Sequence, residues 1–186
     1  IKESLKNITT GTDSDGFLNA LANNLNARAG SWNAAAKNIR QAIEALQTAE
    51  AALLEIADLA TRLEELGALY NNNSLLSTSD IASLDAQTET ITAAIDNIVS
   101  STTYNSVSML DTSEVTFDAG VTDGSDIQTL STGTISSVAS TTEATDADTT
   151  GAALKNEVTV SLGEISGGIT SLSARENIAY ALSAIM

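Results

Sequence analysis

Along residues 17–70, apolar positions recur at alternating steps of four and three. Trp32, Ala36, Ile39, Ile43 and Leu46 set the rhythm, and Leu53, Ile56, Ala60 and Leu63 resume it. This spacing keeps one stripe of an α-helix apolar over many turns. At about 1.5 Å per residue such a helix is roughly 80 Å long, too long to bury itself in a compact domain. It therefore needs neighbours along its length, from its own chain or from other copies. Asn71, Asn72, Asn73 and Ser74 end it with turn formers. A second helix is predicted over 78–100, capped by Ser79 or Asp80, with Leu84, Ile91, Ile95 and Ile98 on one face. It should fold back on the first as a helical hairpin. A third is predicted over 152–185, where Val158, Leu162, Ile165, Ile169 and Leu172 repeat the same alternation. Gly163, Gly167 and Gly168 weaken it by roughly 1 kcal/mol each relative to alanine. Close approach of a neighbouring helix and fraying both remain open as reasons for them.

The segments between the helices read differently. Residues 1–15 are polar and loop-like, with Asp13 or Asp15 as the cap of the first helix. Val115, Phe117 and Ala119 alternate with polar residues, as a half-buried strand does. Thr122-Asp123-Gly124-Ser125 is a turn signal, with Ile127, Thr129 and residues 134–138 as returning strands. A small β-hairpin region is expected over about 104–140, followed by a polar linker over 141–150. The predicted fold is mainly α: an elongated bundle of long antiparallel helices with a small β-hairpin region, one domain over 1–186.

Composition sharpens this picture. Only six of 186 residues are aromatic, which suits a thin seam between helices better than a thick globular core. No proline interrupts the helices. Without cysteine there is no disulfide framework or thiolate metal site, and without histidine the commonest general base and metal ligand is missing. The formal net charge of -16 opposes nucleic acid and anionic membrane surfaces as partners. No apolar run approaches the ~20 residues of a membrane span. Between 111 and 150 stand eight acidic residues and no Lys or Arg, so this stretch should be solvated and face outward. The chain starts at Ile1 and ends on Ile185 and Met186, and is expected to be an internal fragment.

The order of elements and several local motifs resemble flagellin. Ala35-Ala36-Lys37-Asn38, running through Ile43 to Leu46-Gln47-Thr48-Ala49-Glu50-Ala51-Ala52-Leu53, is similar to the family's AxRNAxxGIxxAQTAEGAL signature. Within it Asn38, Gln47, Thr48 and Glu50 carry the match. Upstream, Asp13-Ser14-Asp15-Gly16 and Ala20-Leu21-Ala22-Asn23 are similar to its DDAAG and AIANR segments. Downstream, Ile95-Asp96-Asn97-Ile98, Thr102-Thr103-Tyr104-Asn105 and Met109-Leu110-Asp111 resemble its EIDRI, TxFNG and LLDG run. Val115-Thr116-Phe117-Asp118-Ala119-Gly120, then Asp123-Gly124, resembles its FQIGAN-x-G hairpin. The match covers roughly residues 13 to 125. Two family glycines are replaced, by Ala42 and Ser106, neither expected to break a helix or a short loop. The terminal segments of the inner filament tube and the outer variable domains are not expected within this stretch.

The resemblance implies a secreted structural subunit of the flagellar filament, extracellular, self-assembling for motility, with no cofactor and no catalytic activity. Its implied partners are other flagellin subunits and the filament cap, junction and export proteins. Arg62, Glu65 and Leu66 correspond to the family's QRVREL segment, which implies filament packing and recognition by the vertebrate Toll-like flagellin receptor. Glu64 reverses the second Arg of that segment, and Ala94 stands where an acid is expected, so receptor contact should be weak. The plainer account of Arg62 is an intrahelical pair with Asp58 or Glu65. Asp13-Ser14-Asp15-Gly16 and Asp146-Ala147-Asp148 lack the loop length of a calcium site and read as solvated turns. Glu64 and Glu65 are neighbours on a helix and do not face each other as a catalytic pair would. Ser136, Ser137, Thr141 and Thr142 are candidate O-glycan carriers. A hook–filament junction protein and a surface adhesin or binding module are the alternatives; copy number per filament separates the first, a saturable ligand of the monomer the second.

Overall fold

In the computed structural model the described residues are 12–111, 114–120, 127–132, 135 and 143–185. Three helices dominate, as the periodicity predicts: α1 (Thr12–Tyr70), α2 (Thr78–Ser101) and α3 (Ala147–Ile185). Single 3-10 turns at Asn73–Leu75 and Ala144–Asp146 precede α2 and α3. The strands are β1 (Thr103–Tyr104), β2 (Val107–Ser108), β3 (Glu114–Asp118) and β4 (Ile127–Ser131), forming two-stranded sheets β1–β2 and β3–β4. The chain divides into two compact units. Unit 1 comprises Ile1–Arg40, Phe117–Gln128 and Ser173–Met186; unit 2 comprises Gln41–Thr116 and Thr129–Leu172.

In unit 2 the buried positions on α1 include Ala42, Leu46, Ala49, Leu53, Ile56, Ala60 and Leu63, which follow a four–three alternation, with Ala45 and Leu66 buried beside them. On α2 they include Leu84, Thr88, Ile91, Ile95 and Val99. Those of α3 include Ala147, Gly151, Leu154, Val158, Ser161, Ile165 and Leu172. Such alternation is what a helix needs to keep one stripe against a near-parallel or antiparallel neighbour. α3 runs antiparallel to α1, since Gly67 meets Asp148 while Glu64, earlier in α1, meets Gly151 and Lys155. The close approach comes at Gly67 and Gly151. A Cβ on Gly67 would collide with the Asp148 backbone, and one on Gly151 would lie 2.5 Å from the Ala60 carbonyl oxygen. Gly163 and Gly167, where such an approach was one reading, have nothing within 4 Å of a Cβ. The helix nevertheless continues through them, because its packing is carried by the flanking Val158, Ile165 and Leu172.

Three boundaries differ from expectation. α1 begins at Thr12, ahead of residue 17, so Asp13 and Asp15 fall inside the helix; their side chains lie outside the described part. Extending an existing helix adds a hydrogen bond for each residue fixed, which a polar sequence does not prevent. α3 begins at Ala147, ahead of residue 152, because Ala147 and Gly151 pack inward and Asp148 suits the positive end of the helix dipole. The cap of α2 is Ser77. Its Oγ accepts from Asp80 N at 3.2 Å, while the Asp80 carboxylate accepts from Ser77 N at 3.0 Å. Asp80 is thus the third residue of a capping box.

After α2 the chain turns at once into an antiparallel hairpin, pairing Thr103 with Ser108 and Tyr104 with Val107. Asn105 and Ser106 form its tip with φ of 49° and 66°. Positive φ at both central residues marks a type I′ turn. Ser106, which stands where the family has glycine, therefore occupies a conformation that its Cβ disfavours, although the short loop still forms. The alternation expected of 115–119 is present: Val115 and Phe117 are half-buried, Ala119 buried, and Glu114 and Thr116 exposed. The turn at 122–125 and the candidate strand at 134–138, apart from the buried Ile135, lie outside the described residues.

Candidate functional site

The signature segment of α1 has two faces. Leu46, Ala49 and Leu53 are buried, whereas Gln47 and Thr48 are exposed and Glu50 is half-buried. The Thr48 hydroxyl donates to the Glu44 carbonyl within its own helix at 3.0 Å. Asn38, in unit 1, is exposed, and its amide donates to the Asp118 carbonyl at 3.4 Å, tying α1 to the end of β3. The small Ala42 and Ala49 sit on the buried seam and leave room for a close neighbour, while the polar residues of the segment look outward.

Two turns on, Arg62 and Glu65 are exposed and Leu66 is buried, with 4% of its surface accessible. The three do not form one outward patch: Leu66 belongs to the core, and the surface presents Arg62 and Glu65. Among the described residues Arg62 makes no ion pair, so the intrahelical pairing with Asp58 or Glu65 is not formed. Glu64, between them, turns toward α3 and pairs with Lys155 at 2.8 Å.

Several polar ties hold elements together in ways the sequence did not announce. In unit 2 the Tyr104 hydroxyl donates to Glu44 Oε2 at 3.1 Å, fastening the β1–β2 hairpin to α1. Partial desolvation and the Glu44 carboxylate raise the Tyr104 phenol above its ordinary range. Asp85 Oδ1 accepts from Ala144 N at 2.9 Å, so a side chain of α2 caps the turn that leads into α3. In unit 1 Arg40 Nη2 lies 2.7 Å from Glu176 Oε1, and its guanidinium carbon stands 5.9 Å from the centre of the Tyr180 ring. None of these pairings lies within a helix turn, and only the folded backbone reveals them.

Apolar side chains also face solvent. Unit 1 exposes Phe17 (68%), Leu18 and Leu21 on α1, and Ile178 and Ile185 (80%) on α3. Unit 2 exposes Leu54, Leu69, Leu75 (85%) and Val160. Among the described residues no group of three or more acidic side chains is arranged to hold a metal ion. No helix there is long and apolar enough to cross a membrane. The candidate glycan carriers Ser136, Ser137, Thr141 and Thr142 lie outside the described residues.

Comparison with known proteins follows the same lines. The family model for the bacterial flagellin N-terminal helical region matches residues 2–114. Flagellin of Clostridium tyrobutyricum is 29% identical over 172 residues, covering 91% of this chain and 43% of the relative. Flagellin of Listeria monocytogenes serovar 1/2a is 28% identical over 92 residues, covering 50% of this chain and 32% of the relative. The chain thus spans less than half the length of these curated relatives. The crystal structure of Bacillus cereus flagellin shares the fold, with a TM-score of 0.51 at 22% identity over 81% of this chain and 89% of that one.

Proposed function

The chain belongs to the flagellin family, and from that premise we propose that it is a structural subunit of the bacterial flagellar filament, packed outside the cell with copies of itself to serve motility. The observation that carries this reading is the family match over residues 2–114, which spans α1, α2 and the first hairpin. The exposed Phe17, Leu18 and Leu21 of α1 and Ile178 and Ile185 of α3 support it, as apolar surface for neighbouring copies to cover. The work is mechanical: heptad seams stiffen each subunit, and the outer faces of the helices supply contacts between subunits. The protein catalyses nothing and uses no cofactor. Its further partners are the filament cap, the junction proteins and the export apparatus.

Arg62 and Glu65 supply a polar contact on the outer face of α1, to a neighbouring subunit or weakly to the vertebrate Toll-like flagellin receptor. Glu64, engaged with Lys155, is the reason for that weakness, since the segment presents one cation where the family has two. Electron microscopy of the full-length protein tests the main reading: filaments are expected, and a protein that stays monomeric under all assembly conditions refutes it. A cell reporter assay tests the receptor contact, and full potency at low concentration would contradict it.

A further inference from the structure

The hairpin that follows α2 carries a reactive pair at its tip. Asn105 and Ser106 are both exposed, and both hold positive φ, 49° and 66°. The Ser106 amide stands outside the two ladder pairs, Thr103 with Ser108 and Tyr104 with Val107. The Ser106 side chain is short and unbranched, so its amide nitrogen is uncrowded. An asparagine carboxamide one residue ahead of such a nitrogen can close on it as a succinimide ring. Closure requires the 105–106 peptide to rotate out of the turn, and little resists that rotation. β1 and β2 are two residues each, and a ladder so short opens at its tip far more readily than a helix interior does. The strained backbone of Ser106 makes opening easier still.

Other asparagines are held differently. Asn38 lies inside α1 and Asn97 inside α2, and each precedes an isoleucine. The branched side chain crowds that nitrogen, and the helix ladder holds its N–H. Asn73 precedes a serine, as Asn105 does, but its carbonyl accepts from Leu76 N at 3.0 Å within a 3-10 turn. We propose that Asn105 is a site of spontaneous deamidation, through a succinimide formed with the amide nitrogen of Ser106. That nitrogen, having given its proton to hydroxide, attacks Asn105 Cγ. A C–N bond forms, the bond to the carboxamide nitrogen breaks, and ammonia leaves with a proton from water. Water then opens the ring at either carbonyl, giving aspartate or isoaspartate. One water is consumed, one ammonia is released, and nothing is oxidised or reduced. Isoaspartate adds a methylene to the backbone between Tyr104 and Val107. It breaks their register and loosens the Tyr104 hydroxyl from Glu44, to which it donates at 3.1 Å.

The test ages the full-length protein for several weeks at neutral and at mildly alkaline pH. Digestion in mild acid and peptide mass mapping then locate each conversion, and electron-based fragmentation separates isoaspartate from aspartate. Asn105 is expected to convert at least about fivefold faster than Asn73, Asn38 or Asn97, because its backbone opens most easily. Conversion is expected to speed up at the higher pH, with isoaspartate among the products. Asn105→Gln, which would have to close a larger ring, is expected to stay unconverted, with circular dichroism confirming its fold. An Asn105 that converts no faster than Asn73 overturns the proposal, since the hairpin tip then adds nothing to the dipeptide. So does a product that is aspartate alone, which identifies direct hydrolysis without a ring.

Discussion

Gly151 of α3 lies so close to α1 that a Cβ on it would stand 2.5 Å from the Ala60 carbonyl oxygen. Its counterpart on α1, Gly67, is closed off by the Asp148 backbone. In both cases backbone, which cannot swing aside, occupies the space. Gly151→Ala and Gly67→Ala are therefore expected to force the helices apart and to cost about 1–3 kcal/mol each. Gly163→Ala and Gly167→Ala, with open space around them, should instead stabilise α3 by up to about 1 kcal/mol each. Thermal unfolding of the four variants checks this, and equal shifts for both pairs would remove the case for a glycine-mediated crossing.

Ser106 makes a second backbone prediction. With φ of 66° it occupies the left-handed region, which costs a non-glycine residue about 1–2 kcal/mol. Asn105, at φ 49°, tolerates the same region better because its side chain is short and polar. Ser106→Gly is expected to stabilise the hairpin by about 1 kcal/mol, and Ser106→Val to destabilise it. Hydrogen exchange at Met109, whose amide donates to the Thr102 carbonyl at 3.0 Å, reports the effect locally.

These two sites show where the sequence was legible and where it was not. The heptad rhythm gave three helices because steps of four and three admit no other regular structure over such lengths. Most seam positions, among them Ile39, Leu53, Leu63, Ile95 and Ile165, are buried as the rhythm predicts, but some inner positions differ. Ile43 and Leu162 were placed on the seam, yet both are half-buried, while the adjacent Ala42 and Ser161 point inward. Small residues take the inner positions because the helices approach closely, and larger ones close the flanks. That choice depends on the distance to a partner helix, which periodicity does not encode. The same limitation hid Gly67 and Gly151, and the pairing of Glu64 with Lys155 across 91 positions. Of the candidate site, the exposure of Arg62 and Glu65 was readable from the helical phase. Leu66 was grouped with them by motif, although its phase continues the buried stripe of Ile56 and Leu63.

Thr88 lies wholly buried on α2, with no partner for its hydroxyl among the described residues. Thr92, also buried, donates to the Thr88 carbonyl at 3.1 Å and to the Glu89 carbonyl at 3.0 Å. Replacing an unpaired buried hydroxyl by a methyl of the same shape removes a desolvation cost of roughly 1–3 kcal/mol. Thr88→Val should therefore raise stability by about 1 kcal/mol, while Thr92→Val, which forfeits a satisfied hydrogen bond, should not. Chemical denaturation with an unchanged denaturant slope would establish the contrast.

The capping box predicts a pH response of α2. Hydrogen bonds from the Ser77 side chain and backbone lower the Asp80 pKa from its ordinary value of 3.8. A carboxyl with a depressed folded-state pKa stabilises the fold above its unfolded value, and loses that contribution as pH falls through the folded one. Stability should thus decline below about pH 4 partly through Asp80. Asp80→Asn should lower stability at neutral pH and flatten the acid limb. An acid limb unchanged by the substitution would assign the decline to other carboxylates.

Arg40 joins two helices of unit 1 through one carboxylate and one ring. Its Nε and Nη2 both donate to Glu176 Oε1, at 3.0 and 2.7 Å, while Tyr180, one helical turn beyond Glu176, receives the face of the guanidinium. The Arg40 side chain is 58% exposed and that of Glu176 16%, so solvent screens much of the attraction. A double-mutant cycle of Arg40→Met with Glu176→Gln should therefore give a coupling of only about 0.5–1 kcal/mol at low salt. Raising the ionic strength should reduce it. Tyr180→Leu should remove a further contribution of about 0.5 kcal/mol that survives salt better, because the ring holds Arg40 partly through contact area. A cycle is required here, since Arg40 engages other groups as well and a single substitution would sum them all. Coupling that did not respond to salt would show that shape rather than charge joins the two helices.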